Sequence, residues 1–140
     1  MVHKHPKNCG QAAALNTGFR ACASGYRPYV PAGDTCVTRM IPKRGKALVE
    51  NSADFASCDR FIVDSSDRVE RKLALPGYPF ERSFAEWYLF GVAKLYKKRL
   101  HDRVGYYDEA LPAHDHEFFL RFAMARAKFV HVPMAQMQRQ

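Results

Sequence analysis

The densest run of residues able to move protons or hold a cation is Ala113-His114-Asp115-His116-Glu117. It lies where a loop enters an apolar helical stretch. Asp115 therefore falls at an N-cap or in a first turn, where the helix N-terminus favours a carboxylate. Two readings of Asp115 stand side by side. It is a simple helix cap, or it is a general base at the mouth of a cleft, accepting a proton from a substrate hydroxyl. A third reading takes His114 and His116 as ligands of a metal-dependent hydrolase, although neighbouring helical positions point to different sides.

Asp34 is the second candidate, beside Gly33 in a loop that follows an expected strand. Such loops lie at the carboxyl edge of open α/β sheets, where ligands gather. A lone loop aspartate is either an Asx-turn residue or a hard oxygen ligand for Mg²⁺ or Mn²⁺. Asn16 and Gly18 are poor helix formers placed inside a helical pattern, which points to close packing or to backbone approaching a ligand. Trp87, Tyr88, Tyr106 and Tyr107, with Asp108 and Glu109, are able to stack on a sugar or base, or to pack as rim aromatics.

The elements that must position these groups follow from periodicity. Leu15, Phe19 and Cys22 recur at helical spacing, which predicts a helix from about Gln11 to Ser24 with Gly25 as a left-handed cap. Tyr26 to Pro31 reads as a short strand. Ile41 to Asn51 reads as a helix with Pro42 in its first turn and Leu48 and Val49 on its buried side. Phe55 to Val63 and Arg68 to Leu73 form the arms of a hairpin around Ser65-Ser66-Asp67. A short helix over Glu81–Trp87 precedes an alternating strand over Gly91–Tyr96 and a helix from Lys97 to Val104 closed by Gly105. Asp115 to Ala127 is helical, with Phe118, Phe119, Phe122, Ala123 and Met124 on one apolar face. Phe129–Val132 closes as a strand. Interleaved helices and strands give an α/β class with a mixed sheet flanked by helices.

At 140 residues, 47% hydrophobic and 13% aromatic, the chain suits one domain over residues 1–140 rather than a disordered tail. The net charge of +8 is uneven: residues 1–50 carry +6, residues 51–110 none and residues 111–140 +2. A basic first third is an anion site for phosphates or nucleic acid, or a solvated cationic surface. Cys9, Cys22, Cys36 and Cys58 contain no C-x-x-C pair and suit free thiols in a reducing compartment. No apolar run approaches the roughly 20 residues a membrane helix needs. The first ten residues lack the apolar core of a signal peptide. A cytoplasmic domain is expected, with the inner face of the membrane as its other location.

In order and spacing, two lines of sequence resemble family 2 glycosyltransferases of the GT-A fold. NCGQAAALNTGFRACASGY followed by RPYVPAGDT is similar to that family's line into an Asp-rich metal loop. GVAKLYKKRLHDRVGYYDEALPAHDHEFFLRFAMARAKFVHVP is similar to its later line of strand, helix, acidic pair, helix and strand. Asp34 stands alone where the family often has several carboxylates, His114 replaces the usual Glu, and Leu15 a commonly basic residue. The resemblance covers Asn8 to Pro133 and implies a partial GT-A domain, its C-terminal two-thirds, lacking the first strands that hold the nucleotide.

By that resemblance, Asp115 is the base for the acceptor hydroxyl and Asp34 a ligand of a divalent cation, Mg²⁺ or Mn²⁺, on the donor diphosphate. Asn16 and Gly18 fall on the donor side, and Trp87, Asp108, Glu109 and His114 on the acceptor side. The partners implied are a nucleotide-sugar donor and a carbohydrate or lipid-linked acceptor, joined with inversion. The alternatives are an inactive remnant or binding module of the same fold and, further off, a basic nucleic-acid-binding protein, for which no recognition motif is present.

Overall fold

The computed structural model describes residues 2–30, 39–74, 94–112 and 114–139. Helix α1 (Gly10–Ala21) buries Ala12, Ala13, Asn16 and Phe19 on one side. It ends earlier than periodicity suggests, and Gly25 is not its cap. Instead the buried guanidinium of Arg27 turns back and donates to the carbonyls of Cys22 (3.0 Å), Tyr26 (3.2 Å) and Ser24. A cation at the C-terminal end supplies the donors that the last carbonyls lack, so no left-handed glycine is needed. Strand β1 (Tyr26–Tyr29) follows.

Helix α2 (Met40–Glu50) buries Met40, Arg44 and Leu48. Val49, expected inside, is 65% exposed, because the buried side follows the spacing of Met40, Arg44 and Leu48 and leaves Val49 beside it. Strands β2 (Phe55–Val63) and β3 (Val69–Leu73) form the expected antiparallel hairpin. Its turn is tied by Asp64, whose Oδ1 accepts from the Ser66 and Arg68 amides at 2.8 and 2.9 Å.

Strand β4 (Lys94–Lys97) leads into helix α3 (Arg99–Val104), closed as expected by Gly105 at φ 80°. Helix α4 (His114–Met124) buries Phe118, Phe119, Phe122 and Ala123. Met124, counted with that face from sequence, is 69% exposed, and the helix stops there rather than at Ala127. The last strand, β5 (Phe129–Arg139), is much longer than Phe129–Val132 because it runs parallel along the whole of β2. The expected helix over 81–87 and the first residues of the strand over 91–96 lie outside the described residues.

The sheet is mixed and flanked by helices. β5 lies along one side of β2, while β4 and then β3 share the other side, and β1 pairs antiparallel with β4. Neighbouring residues of β2 point to opposite faces. Phe55 joins Phe19, Tyr96, Leu100, Phe118, Phe119 and Phe122 in an aromatic core under α1, α3 and α4. Ala56 packs on the other face with Leu48, Ala53 and Leu95, under α2. Rings meet edge-to-face or offset, as Phe55 and Phe119 do at 5.4 Å and 69°. Asp54 ties three elements at one end of this core. It accepts the Lys128 amide at 3.0 Å and pairs with Arg99, while its carbonyl takes the Lys97 amide at 2.9 Å. Burial works against the charge at Asp54, but the Lys128 amide and the Arg99 guanidinium outweigh it and hold the carboxyl below its usual range.

Candidate functional site

Asp115 stands in the first turn of α4, and its place is set by the loop that leads there. Three devices pin that loop. The buried amide of Asn16, in α1, accepts from the Tyr107 N–H at 3.0 Å and donates to the Tyr107 carbonyl at 3.0 Å and to Glu109 Oε1 at 2.8 Å. Arg121, one face along α4, donates to the carbonyls of Val104 and Tyr106 and pairs with Glu117. His101 donates from Nδ1 to the Gly105 carbonyl at 3.0 Å and accepts the Tyr96 hydroxyl at Nε2, at 3.1 Å. With both ring nitrogens used and the ring buried, His101 is neutral; burial, partly opposed by the Gly105 bond, pushes its pKa down to about 4.

Beneath Asp115, one face of the sheet changes character within one residue pair. The row Arg27, Tyr96, Phe55 and Phe129 is set by the pairings of Arg27 with Tyr96, Tyr96 with Phe55 and Phe55 with Phe129. The next positions on that face are Tyr29 and Lys94, which pair, then Ser57 and His131, which pair. The aromatic row thus gives way to a polar one. Ser57 Oγ lies 3.1 Å from His131 Nδ1, His131 Nε2 lies 2.9 Å from Asp59 Oδ1, and Lys72 Nζ lies 3.6 Å from Asp59 Oδ2.

Lys94 is 3% exposed, yet its ammonium lies 3.6 Å from the centroid of the Phe119 ring, 5.4 Å from that of Tyr29 and 4.0 Å from Asp115 Oδ2. Burial is the larger effect on it and lowers its pKa to about 8, against the pull of the Asp115 charge. Tyr107 is buried within the influence of Asp115. Burial, then the Asp115 charge and a side-chain hydrogen bond to Asp115, push its hydroxyl far up and keep it protonated. Asp115 Oδ1 is buried, while the side chain as a whole is 42% exposed. A carboxylate that faces a buried ammonium through one oxygen and is partly open to solvent is suited to accepting a proton from something in solution.

The structure brings together Asp115, Asn16 and Glu109 through the pinned loop. Asp108 is turned to its own loop, where Oδ1 accepts the Ala110 amide at 2.9 Å. Gly18 lines a separate cleft of about 500 Å³ between α1 and β1, with Leu15, Phe19, Pro28 and Tyr29 among its walls. His114 begins α4, but Asp34 and Trp87 lie outside the described residues. Among the described residues no three His, Cys, Asp or Glu side chains converge on a metal position. Among the described residues Cys9, Cys22 and Cys58 are in no disulfide. Lys94, Ser57, Asp59 and His131 were not singled out in the sequence. Lys94, Ser57 and His131 each interrupt an apolar stretch that reads as strand, a pattern that marks a polar position in a strand but not the partner it meets across space.

No family model and no curated protein matches this chain. Solved structures do. Mannosyltransferase PcManGT from Pyrobaculum calidifontis, in complex with GDP-Man and Mn²⁺, is similar at TM-score 0.69 and 15% identity over 99% of this chain and 39% of its own. TarS of S. aureus, residues 1–349, is similar at TM-score 0.73 and 16% identity over 96% of this chain and 42% of its own. The chain therefore spans about two-fifths of the length of these neighbours, and among the described residues no helix is long and apolar enough to cross a membrane. At this identity the likeness concerns fold alone: the chain shares a mixed α/β fold with part of each of these two structures.

Proposed function

We propose that this chain is the acceptor-side portion of an inverting, family 2 type glycosyltransferase that moves a sugar from a nucleoside-diphosphate sugar to a hydroxyl. The observation that carries the reading is Asp115: a half-exposed carboxylate in the first turn of α4 that faces the buried ammonium of Lys94. In this reading Asp115 takes the acceptor proton as the hydroxyl attacks the anomeric carbon opposite the departing diphosphate. The rigid loop on Asn16 and Arg121 holds the base in place, so that reacting groups meet in a fixed geometry. Glu109, Asp108, His114 and Trp87 are assigned to the acceptor side by the sequence resemblance.

A divalent cation belongs to this proposal on the loop of Asp34, where β1 delivers the chain. The fit around Asp115 itself is poor for a metal, since a buried ammonium already faces that carboxylate. When bound near Asp34, the cation would offset charge on the leaving diphosphate. The basic first third of the chain gives the same diphosphate a favourable field. The acceptor, carbohydrate or lipid-linked, and a cytoplasmic setting complete the proposal.

Calorimetric titration with GDP-mannose, with and without Mn²⁺, tests it. Saturable binding that weakens by about tenfold or more without the metal is the expected result. Absence of binding to GDP- and UDP-linked sugars would instead favour a non-catalytic binding module. One observation speaks for that second reading. Among the described residues β1 pairs only with β4, and the apolar cleft against α1 stands open beside it.

A further inference from the structure

We propose that Lys94 is a positioning residue for Asp115: its buried ammonium fixes the direction of the carboxylate at the mouth above the sheet, and it acts only through Asp115. This rests on the reading of Asp115 as the base. Lys94 Nζ is enclosed by the Phe119 ring, one helical turn beyond Asp115, by the Tyr29 ring from β1 and by Asp115 Oδ2 at 4.0 Å. At 3% exposure it is closed to solvent, so it acts on the groups packed around it. Among the described residues, Asp115 is the carboxylate it faces.

A lysine is a costly choice for this position. An apolar side chain of similar length would fill the space between β1 and α4 and lie equally well on Phe119, without desolvating a charge. Packing therefore does not account for it, whereas the carboxylate does. Oδ2 faces the Lys94 ammonium at 4.0 Å and Oδ1 is buried, so the ammonium sets which edge of the group turns inward while the rest of the side chain stays open to solvent. Among the described residues, the charged and titratable groups facing Lys94 are Tyr29 on β1, Arg60 on β2 and Asp115 on α4. Burial first, and the Arg60 charge with it, lower the pKa to about 8 against the pull of Asp115. The ammonium is therefore present at neutral pH and is lost just above pH 8, and its hold on Asp115 goes with it.

The test follows the lysine ε-methylene of Lys94 by ¹³C NMR through a pH titration of the wild type and of Asp115→Asn. A coupled pair gives a Lys94 midpoint lower by about half a unit or more in the variant, because the opposing charge is gone. The same midpoint in both proteins overturns the inference, whether or not any donor is turned over. Kinetics with GDP-mannose and Mn²⁺ then separate the two ideas. Lys94→Met is expected to lower kcat about tenfold or more with KM within about threefold. Lys94→Arg is expected to keep most of the rate and move the alkaline fall to higher pH. Wild-type kcat in Lys94→Met overturns the role of Lys94, while wild-type turnover in Asp115→Asn overturns the role of Asp115 instead.

Discussion

At the scale of single residues, the site depends on side chains whose protonation is fixed by burial rather than by solvent. His101 shows this most simply. Its ring is neutral in the fold, donating from Nδ1 and accepting at Nε2, and its pKa is lowered to about 4, whereas an unfolded histidine titrates near 6.5. Above pH 6.5 both states are neutral and nothing is lost. As the pH falls from 6.5 toward 4 the unfolded chain gains a proton that the fold refuses, and stability drops by about 3 kcal/mol. Urea unfolding between pH 7 and pH 4.5 should show that decline, and His101→Gln should flatten it. Asp54, with its carboxyl below the usual range, adds its own loss only at lower pH, so the two are separable. Asp115 was legible in the sequence because a helix start leaves a local signature. Lys94 was not: its meaning lies in a contact across space with a residue on another element, and nothing local in Ala93-Lys94-Leu95 announces that its ammonium ends over Phe119.

At the scale of elements, the lead-in loop to α4 is tied down by Asn16 together with Arg121 and His101. The buried amide spends all its capacity on Tyr107 and Glu109, which explains a poor helix former in the middle of α1. Asn16→Ala leaves the Tyr107 N–H and carbonyl without partners in a dry environment and should cost about 2–3 kcal/mol. On the proposed reading it should also lower turnover through misplacement of α4, while Val49→Ala on the exposed side of α2 should do neither. Chemical denaturation of the two variants decides this. Sequence periodicity found the existence and type of every described helix and strand, since amphipathic spacing is local. It misplaced what tertiary contact decides. α1 ends where Arg27 caps it, β5 extends because β2 offers a whole parallel edge, and Val49 and Met124 are exposed because their helix faces turn away from the core.

At the scale of the whole molecule, the sheet carries its polar row of Lys94, Ser57 and His131 at one end, and the chain spans about two-fifths of the length of PcManGT and TarS. The most direct measurement is the release of nucleoside diphosphate from GDP- and UDP-linked sugars with Mn²⁺, by wild type and by Asp115→Asn side by side. The account predicts release by the wild type and a fall of about 100-fold or more in the variant, with donor affinity and unfolding unchanged. Equal release by the two proteins, or none by the wild type from any donor, would contradict it.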